Sequence, residues 1–302
     1  MGALAPMPTF DTLEPILVTV AIGMGEVRIT ASERRDTIVV VSPSDSSNGS
    51  DVKAAEQTRV EYSDGRLLIK APRSWRQYTP FGGGESVDVA IDLPAGSRVD
   101  GEGSVADFRC GGRLAECRLT TGVGNIRLDE TGPLHASTSA GSITVDRAVG
   151  RADVSGSGQV RIGEIDGPAM IKNLNGLTWV GEVTGELRCN AANGDITVDR
   201  ALAGVSAKTA NGAIRIGEVV RGSVDLGTGY GELEIGIREG TAALLDLRSQ
   251  FGSVRSSLVA SDGPETSDQT VEVRARTSFG DIVIRRSRPF SAETEGNGRE
   301  GR

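Results

Sequence analysis

The side chains that perform most enzyme chemistry are scarce in this sequence of 302 residues. It contains one histidine, His135, and three cysteines, Cys110, Cys117 and Cys189. A serine or cysteine nucleophile usually depends on a neighbouring histidine that acts as its base. Because His135 occupies a polar, outward-facing position of an alternating segment, we interpret it as a surface residue. The sequence therefore predicts no nucleophilic catalytic site.

Metal and cofactor motifs are missing as well. One histidine and no Cys-x-x-Cys pair do not make a zinc site. An odd, widely spaced set of cysteines is not a disulfide framework. The run of glycines at 82–84 lacks the Lys-Ser/Thr of a phosphate-binding loop, and the repeats lack the aspartates of calcium-binding β-rolls. We expect no metal and no cofactor.

The 41 acidic residues leave one enzymatic alternative open. Carbohydrate-active β-helix enzymes place paired carboxylates in a cleft, where they act as acid and base. The central repeats described below are too short to supply the loops of such a cleft. The longer insertions come late, at residues 237–243 and 258–270. We predict that the protein is not an enzyme and keep this class as an alternative.

Charge and hydropathy exclude several kinds of partner. A net charge of −8 and a pI near 5.0 disfavour nucleic acids and anionic membranes. The longest apolar run, residues 16–22, is far shorter than a membrane span. Residues 1–12 show no signal-peptide pattern, so we expect a cytoplasmic protein with reduced thiols.

A five-residue phrase recurs along the chain: glycine, any residue, an aliphatic residue, any residue, an aliphatic residue. The intervals between its glycines are 17, 17, 18, 18, 18, 19, 21 and 28 residues, which indicates stacked copies of one small unit. We call the first glycine of each copy the anchor glycine and count positions from it. The anchors are Gly124, Gly141, Gly158, Gly176, Gly194, Gly212, Gly231, Gly252 and Gly280.

Each copy contains two strand signals. Positions +2 and +4 are aliphatic, and positions −7, −5 and −3 are apolar or small, so alternation places all of them on one interior face. No helical periodicity is present. The fold class predicted is all-β: a right-handed, single-stranded parallel β-solenoid with coils of about 18 residues and an N-terminal β-rich capping region.

The domain organisation follows from where this period holds. We predict a flexible leader at residues 1–12 and an N-terminal β-region that caps the solenoid at 13–102. The β-solenoid repeats occupy 103–286, and a disordered tail occupies 287–302.

The pattern is similar to the bacterial "putative adhesin" β-strand-repeat family, a domain of unknown function. The resemblance covers residues 13–286 and is clearest in the Asn-Gly-x-Ile-x-Ile/Val phrases at 193–198 and 211–216. It implies a β-solenoid and a role in adhesion. It supplies no catalytic residues.

Two sets of residues are candidates for a role in binding or stability. Outward position +3 carries Arg161, Trp179 and Arg215, which form our candidate binding surface because tryptophan and arginine are favoured at interfaces. The residue before the anchor glycine is asparagine in three consecutive copies. Coils stack about 4.8 Å apart, so these side chains can form a corner ladder of amide hydrogen bonds: Asn175, Asn193 and Asn211.

The sequence favours a non-enzymatic scaffold or adhesin-like interaction protein that binds a protein or a polysaccharide through a flat repetitive face. One alternative is an end-to-end polymerising structural protein that resembles the bactofilins and acts by self-association. The other is a carbohydrate-active β-helix enzyme. A cleft with two facing carboxylates would favour the enzyme, whereas flat faces and capped ends would favour a monomeric scaffold.

Overall fold

The computed structural model of the chain describes residues 8–72, 85–259 and 269–287. Nearly all of these residues lie in β-strands, and the one helix within the three ranges is α1, Gly49–Gln57. The N-terminal strands are β1 Thr9–Asp11, β2 Leu17–Ser32, β3 Asp36–Pro43, β4 Arg59–Ser63, β5 Arg66–Lys70, β6 Val87–Pro94 and β7 Arg98–Arg113.

The repeats form two parallel sheets that face each other across one core. The strand before each anchor glycine lies in the first sheet: β8 Cys117–Val123, β10 Leu134–Ala140, β12 Ala152–Gly156, β14 Ala169–Asn175, β16 Leu187–Asn193, β18 Val205–Asn211, β20 Gly222–Tyr230, β22 Thr241–Phe251 and β24 Gln269–Phe279. The strand after it lies in the second sheet: β9 Ile126–Thr131, β11 Ile143–Val149, β13 Val160–Asp166, β15 Thr178–Val183, β17 Ile196–Ala201, β19 Ile214–Val219, β21 Leu233–Ile237, β23 Val254–Ser256 and β25 Ile282–Arg286.

The predicted β-solenoid is confirmed, and its core has the expected composition. In β13, Val160 and Ile162 are fully buried while Arg161 between them points outward. Each aliphatic side chain buried in this way contributes roughly 1.5–3 kcal/mol. A shift by one residue would expose the whole interior set, so the alternation fixes the register of every coil.

Anchor glycines form the corners between the two sheets. Gly212 has φ +145°, a conformation that side chains rarely tolerate. A Cβ atom there would lie 2.2 Å from the carbonyl oxygen of Gly194, the anchor of the adjacent coil. The corner therefore needs glycine both for its backbone angle and for the close stacking of neighbouring coils.

Threonines at position −3 satisfy the backbone at these corners. Thr138 Oγ1 donates a hydrogen bond of 2.9 Å to the carbonyl oxygen of Gly124, one coil away. Thr228 makes the equivalent bond to Gly212 at 2.9 Å. Both hydroxyls lie in the interior, where an unpaired polar group is costly. This explains why a small polar residue recurs at an otherwise apolar position.

The solenoid begins earlier than residue 103, where the sequence analysis placed its start. Strand β7 runs across that position and forms a complete coil, and β2 forms another that pairs with it in parallel. The phrase Gly25-Glu-Val-Arg-Ile in β2 is a further copy of the repeat. In β7 the anchor position is Ala106, so a search for glycine alone fails there.

The N-terminal end of the solenoid finishes in antiparallel strands. β2 pairs in parallel with β5 and β6, which form the outermost coil. β4 then pairs antiparallel with β5, β3 with β6, and β1 with β3, while α1 packs against β3 and β6. Residues 9–11, assigned to the flexible leader from sequence, are thus part of this end. Residues 1–7 lie outside the described ranges.

The other end departs from chain order. β24 and β25 stack directly on β20 and β21, while β22 and β23 lie outside them. Both coils carry the same interior phase, so either order of stacking satisfies the pairing. The interval of 28 residues between Gly252 and Gly280 lets the chain return past one coil. Residues 260–268 and 288–302, which include most of the second insertion and the predicted tail, are not described.

Candidate binding surface

The outward residues at position +3 of the second sheet stand in direct cross-strand register. We call them the arginine–tryptophan row. The row extends toward the N-terminal end beyond the residues singled out from sequence, because β2 and β7 contribute to it. Its members are Arg28, Arg109, Arg127, Thr144, Arg161, Trp179, Thr197, Arg215, Glu234, Val283 and Arg255.

Trp179 lies flat on the sheet between two charged groups. The guanidinium carbon of Arg161 lies 3.9 Å from the centre of the indole ring, and Nε1 donates to Oδ1 of Asp199 at 3.3 Å. The ring also covers Gly181, where a Cβ would lie 3.1 Å from it. Burial raises the pKa of the Asp199 carboxyl, and the hydrogen bond from Trp179 and the charge of Arg161 oppose that shift.

The three residues of the predicted binding surface are therefore not one cluster. Arg161 and Trp179 are in contact, in a cation–π arrangement. Arg215 lies two strands beyond Trp179, with Thr197 between them, and its Nε is 2.6 Å from a carboxylate oxygen of Glu234. Arg161 is exposed and Trp179 is partly buried, whereas Arg215 is held by its ion pair with Glu234.

The N-terminal half of the row concentrates positive charge. Arg28, Arg109 and Arg127 lie opposite one another on three successive coils. Glu26 makes ion pairs of 3.1 Å with both Arg28 and Arg109. Within the described part of the chain, Arg127 has no ion-pair partner. Like charges directly opposite each other destabilise a sheet, so this arrangement would be relieved by an anionic ligand.

A shallow depression of about 670 Å³ lies beside these arginines. Gly111 leaves its floor open, since it has no side chain at the neighbouring outward position. Asn125 and Asp129 also line the depression, and Asp129 Oδ2 accepts a hydrogen bond from the backbone of Gly112 at 3.0 Å. The depression can hold a small anionic group, but it has no facing pair of carboxylates.

The residues directly before the anchor glycines form a second row, which we call the corner row. It contains the three asparagines singled out from sequence. Asn193 Nδ2 donates to Asn175 Oδ1 at 3.1 Å, and Asn211 Nδ2 donates to Asn193 Oδ1 at 2.8 Å. All three side chains are exposed. This exposure reduces what each hydrogen bond contributes, because water can replace it.

The same row continues as an aromatic stack that the sequence analysis missed. Tyr230 follows Asn211 in register, then Phe279, then Phe251 on the outermost coil. The ring centroids of successive members are 4.8 Å and 4.9 Å apart. The signal was present in the sequence, since each of these residues directly precedes an anchor glycine.

The groups considered first for chemistry lie apart from this surface. His135 is an exposed residue of β10, in the first sheet. All three cysteines are buried, and burial raises the pKa of Cys117 to about 11 and that of Cys189 to about 12. Across residues 8–72, 85–259 and 269–287, no group of three His, Cys, Asp or Glu side chains could hold a metal ion. Nor do those ranges contain a helix with the length and apolar character that a membrane crossing requires.

Two parallel sheets joined by glycine corners define a β-solenoid. The outer face of its second sheet is partly basic. The chain belongs to the Toastrack family DUF4097, whose model matches residues 18–301. No curated protein matches the sequence.

Three solved structures are similar over most of their length. A "putative adhesin" from Parabacteroides merdae has 11% sequence identity and a TM-score of 0.42, with 94% of this chain and 96% of that chain covered. A "putative adhesin" from Bacteroides fragilis has 10% identity and a TM-score of 0.36, with 92% and 96% covered. A "putative lipid binding protein" from Parabacteroides distasonis has 11% identity and a TM-score of 0.23, with 94% and 96% covered.

Proposed function

We propose that this protein is a non-enzymatic, adhesin-like interaction protein that binds an anionic polysaccharide or protein through the arginine–tryptophan row. The observation that carries the proposal is the alignment of Arg28, Arg109 and Arg127 on consecutive coils, with one of them unpaired among the described residues. A linear partner with repeating anionic groups could meet one arginine per coil.

The Arg161–Trp179 pair extends this basic segment by a platform suited to a sugar ring or an aromatic side chain. Tryptophan and arginine are the residue types that most often dominate binding energy at interfaces. The net charge of −8 repels a polyanion at long range, so binding must rest on contacts made close to the row. We propose a cytoplasmic location for this activity, as the sequence predicts.

The two alternatives have less support. A carbohydrate-active enzyme would need facing acids, and the depression beside Arg127 is shallow, with Asp129 engaged by backbone. A bactofilin-like polymer would need two ends that fit each other. Here one end consists of antiparallel strands and the other of a parallel coil, which are different surfaces.

The test measures binding of polygalacturonate, an anionic polysaccharide, with neutral dextran as the reference. We expect binding of polygalacturonate alone, weakened by added salt and by Arg127→Ala. Arg188→Ala is the matched control, since Arg188 is exposed on the outer face of the first sheet. Equal loss of affinity in both variants, or equal binding of dextran, would contradict the proposed surface.

A second variant separates binding from stability at the platform. If Trp179 contacts the ligand, Trp179→Ala should remove about 2 kcal/mol of binding energy, as truncation of a central interface residue does. If the ring only covers Gly181 and Asp199, the variant should melt earlier and bind polygalacturonate as before. The second outcome would restrict the binding surface to the three N-terminal arginines.

A further inference from the structure

The outermost coil at the C-terminal end, formed by β22 and β23, is incompletely covered. We call it the terminal coil. Its strands pair with β24 and β25 on one side, and no described residue pairs with their other edge. Val254 occupies interior position +2 but is 46% exposed, whereas Ile282 at the same position of the next coil is fully buried. Leu244 and Phe251 are 69% and 59% exposed.

An open parallel edge of this length is an unusual feature. β22 spans eleven residues, and the unpaired N–H and C=O groups along such an edge can pair with another strand. Phe251 adds an aromatic ring that stacks on Phe279 with only one of its faces. Hydrogen-bonding capacity and apolar surface therefore coincide on the terminal coil.

The N-terminal end does not offer a matching surface. There the edge strand β4 has five residues, and it carries Arg59 and Glu61, which form an ion pair with each other. Short, charged edge strands are typical of edges that are protected against further pairing. Head-to-tail stacking of copies would place β22 against this protected edge. A second terminal coil is therefore the better partner for the terminal coil.

We propose that two copies of the chain associate through their terminal coils, with β22 antiparallel to β22 of the second copy around a twofold axis. The twofold axis runs perpendicular to both sheets, so the first sheets join each other and the second sheets join each other. Such an isologous contact closes on itself and gives a dimer rather than a filament. This inference goes beyond the proposed function and does not depend on it.

Side-chain alternation and charge select one register for the β22 pair. When the twofold axis passes through a residue of β22, the interior side chains of one copy lie opposite the interior side chains of the other. When the axis passes between two residues, interior side chains lie opposite outward ones. An axis centred on Asp246 or on Arg248 would bring like charges together. An axis centred on Leu247 places Asp246 opposite Arg248 of the second copy, twice, and covers the half-buried interior face of β22. The same register places Phe251 against Ala243 of the second copy.

The existing contacts fit this arrangement. Arg248 Nε lies 3.1 Å from Asp246 Oδ1 within one copy, so both side chains already lie on the same outer face. Replacing this ion pair by one between copies would need only a change of side-chain rotamers. Arg276 of β24 lies 3.5 Å from the same carboxylate. Antiparallel pairing would therefore create a charge network of six residues across the axis, namely Asp246, Arg248 and Arg276 of each copy.

The test measures the mass of the full chain by light scattering over a range of concentrations. We expect a species of twice 31.5 kDa that dissociates on dilution. Asp246→Arg alone and Arg248→Asp alone should each give monomers, because every cross-axis pair becomes a repulsion. Mixing the two variants should restore a dimer that contains one copy of each, since all opposing charges are then complementary.

The control is Asp153→Arg, which breaks the equivalent Arg151–Asp153 ion pair on β12, far from the terminal coil. It should leave the dimer intact, and melting curves should show that the charge variants are folded. A wild-type chain that stays monomeric, as when its own residues 260–268 or 288–302 cover the coil, would overturn the proposal. Filaments, or a dimer unaffected by either single variant, would overturn it too.

Discussion

Replacing the corner glycine Gly212 by alanine should destabilise the solenoid strongly. Two costs add at this position. The first is the backbone angle of φ +145°, a sparsely populated conformation that costs a residue with a side chain about 1–3 kcal/mol. The second is the contact of the new Cβ with the Gly194 carbonyl, 2.2 Å from the oxygen and 2.6 Å from the carbon.

The second cost cannot be relieved by a side-chain rotation, because the opposing atoms are backbone. The neighbouring coils are also fixed by hydrogen bonds, among them Gly194 N to Asn211 O at 2.8 Å. Forcing an extra carbon into a packed site typically costs about 1–3 kcal/mol. The sum predicts a loss of about 2–6 kcal/mol in the free energy of unfolding, measured by urea denaturation.

Two other glycines separate the contributions. Gly65 has φ +71°, in the left-handed region, but a methyl group added there would meet no atom within 4 Å, so Gly65→Ala should show a backbone cost of about 1–2 kcal/mol without a clash. Gly49 at the start of α1 has neither constraint, so Gly49→Ala should leave the midpoint nearly unchanged. If Gly212→Ala is no more destabilising than Gly65→Ala, the close approach of neighbouring corners is not the reason why this position requires glycine.

Three further outcomes test other parts of the structure. Asn193→Leu should lower stability by about 1 kcal/mol, because it removes two hydrogen bonds of the exposed corner row, and an unchanged urea midpoint would refute that contribution. Cys189 should resist thiol reagents in the native state at pH 8, since burial raises its pKa to about 12; rapid labelling without urea would contradict its place in the core. Asp199→Asn should stabilise the protein at neutral pH, because the raised pKa of Asp199 means that the folded state disfavours the carboxylate. This gain should disappear at acidic pH, where Asp199 is protonated, and a gain that is independent of pH would exclude this cause.

The fold could be predicted because glycine corners and alternating aliphatic residues leave a direct trace in sequence. The phrase that begins at Gly124 recurs with the same interior phase, and that phase decides which side chains are buried. The order of the coils could not be predicted at either end. A parallel edge accepts any strand with the correct phase, so β24 can stack before β22 although it follows it in the chain.

The arginine–tryptophan row could be identified only in part from the sequence. Trp179 and Arg161 share position +3 of neighbouring copies, and this register brings them into contact. Arg28 and Arg109 were missed, because one coil was taken for part of the cap and the other has Ala106 at its anchor. The ion pair between Arg215 and Glu234 follows from the same register, since both residues occupy position +3 of consecutive copies, but the choice of Arg215 as a binding residue did not take it into account.

Chemical footprinting of arginines tests the central claim most directly. The protein is treated with phenylglyoxal with and without polygalacturonate, and modification is measured at each arginine by mass spectrometry. The account predicts that the ligand slows modification of Arg127 and Arg161 and leaves Arg118 and Arg188, on the outer face of the first sheet, unchanged. Protection of Arg118 and Arg188 instead, or equal protection of all four, would contradict binding through the arginine–tryptophan row.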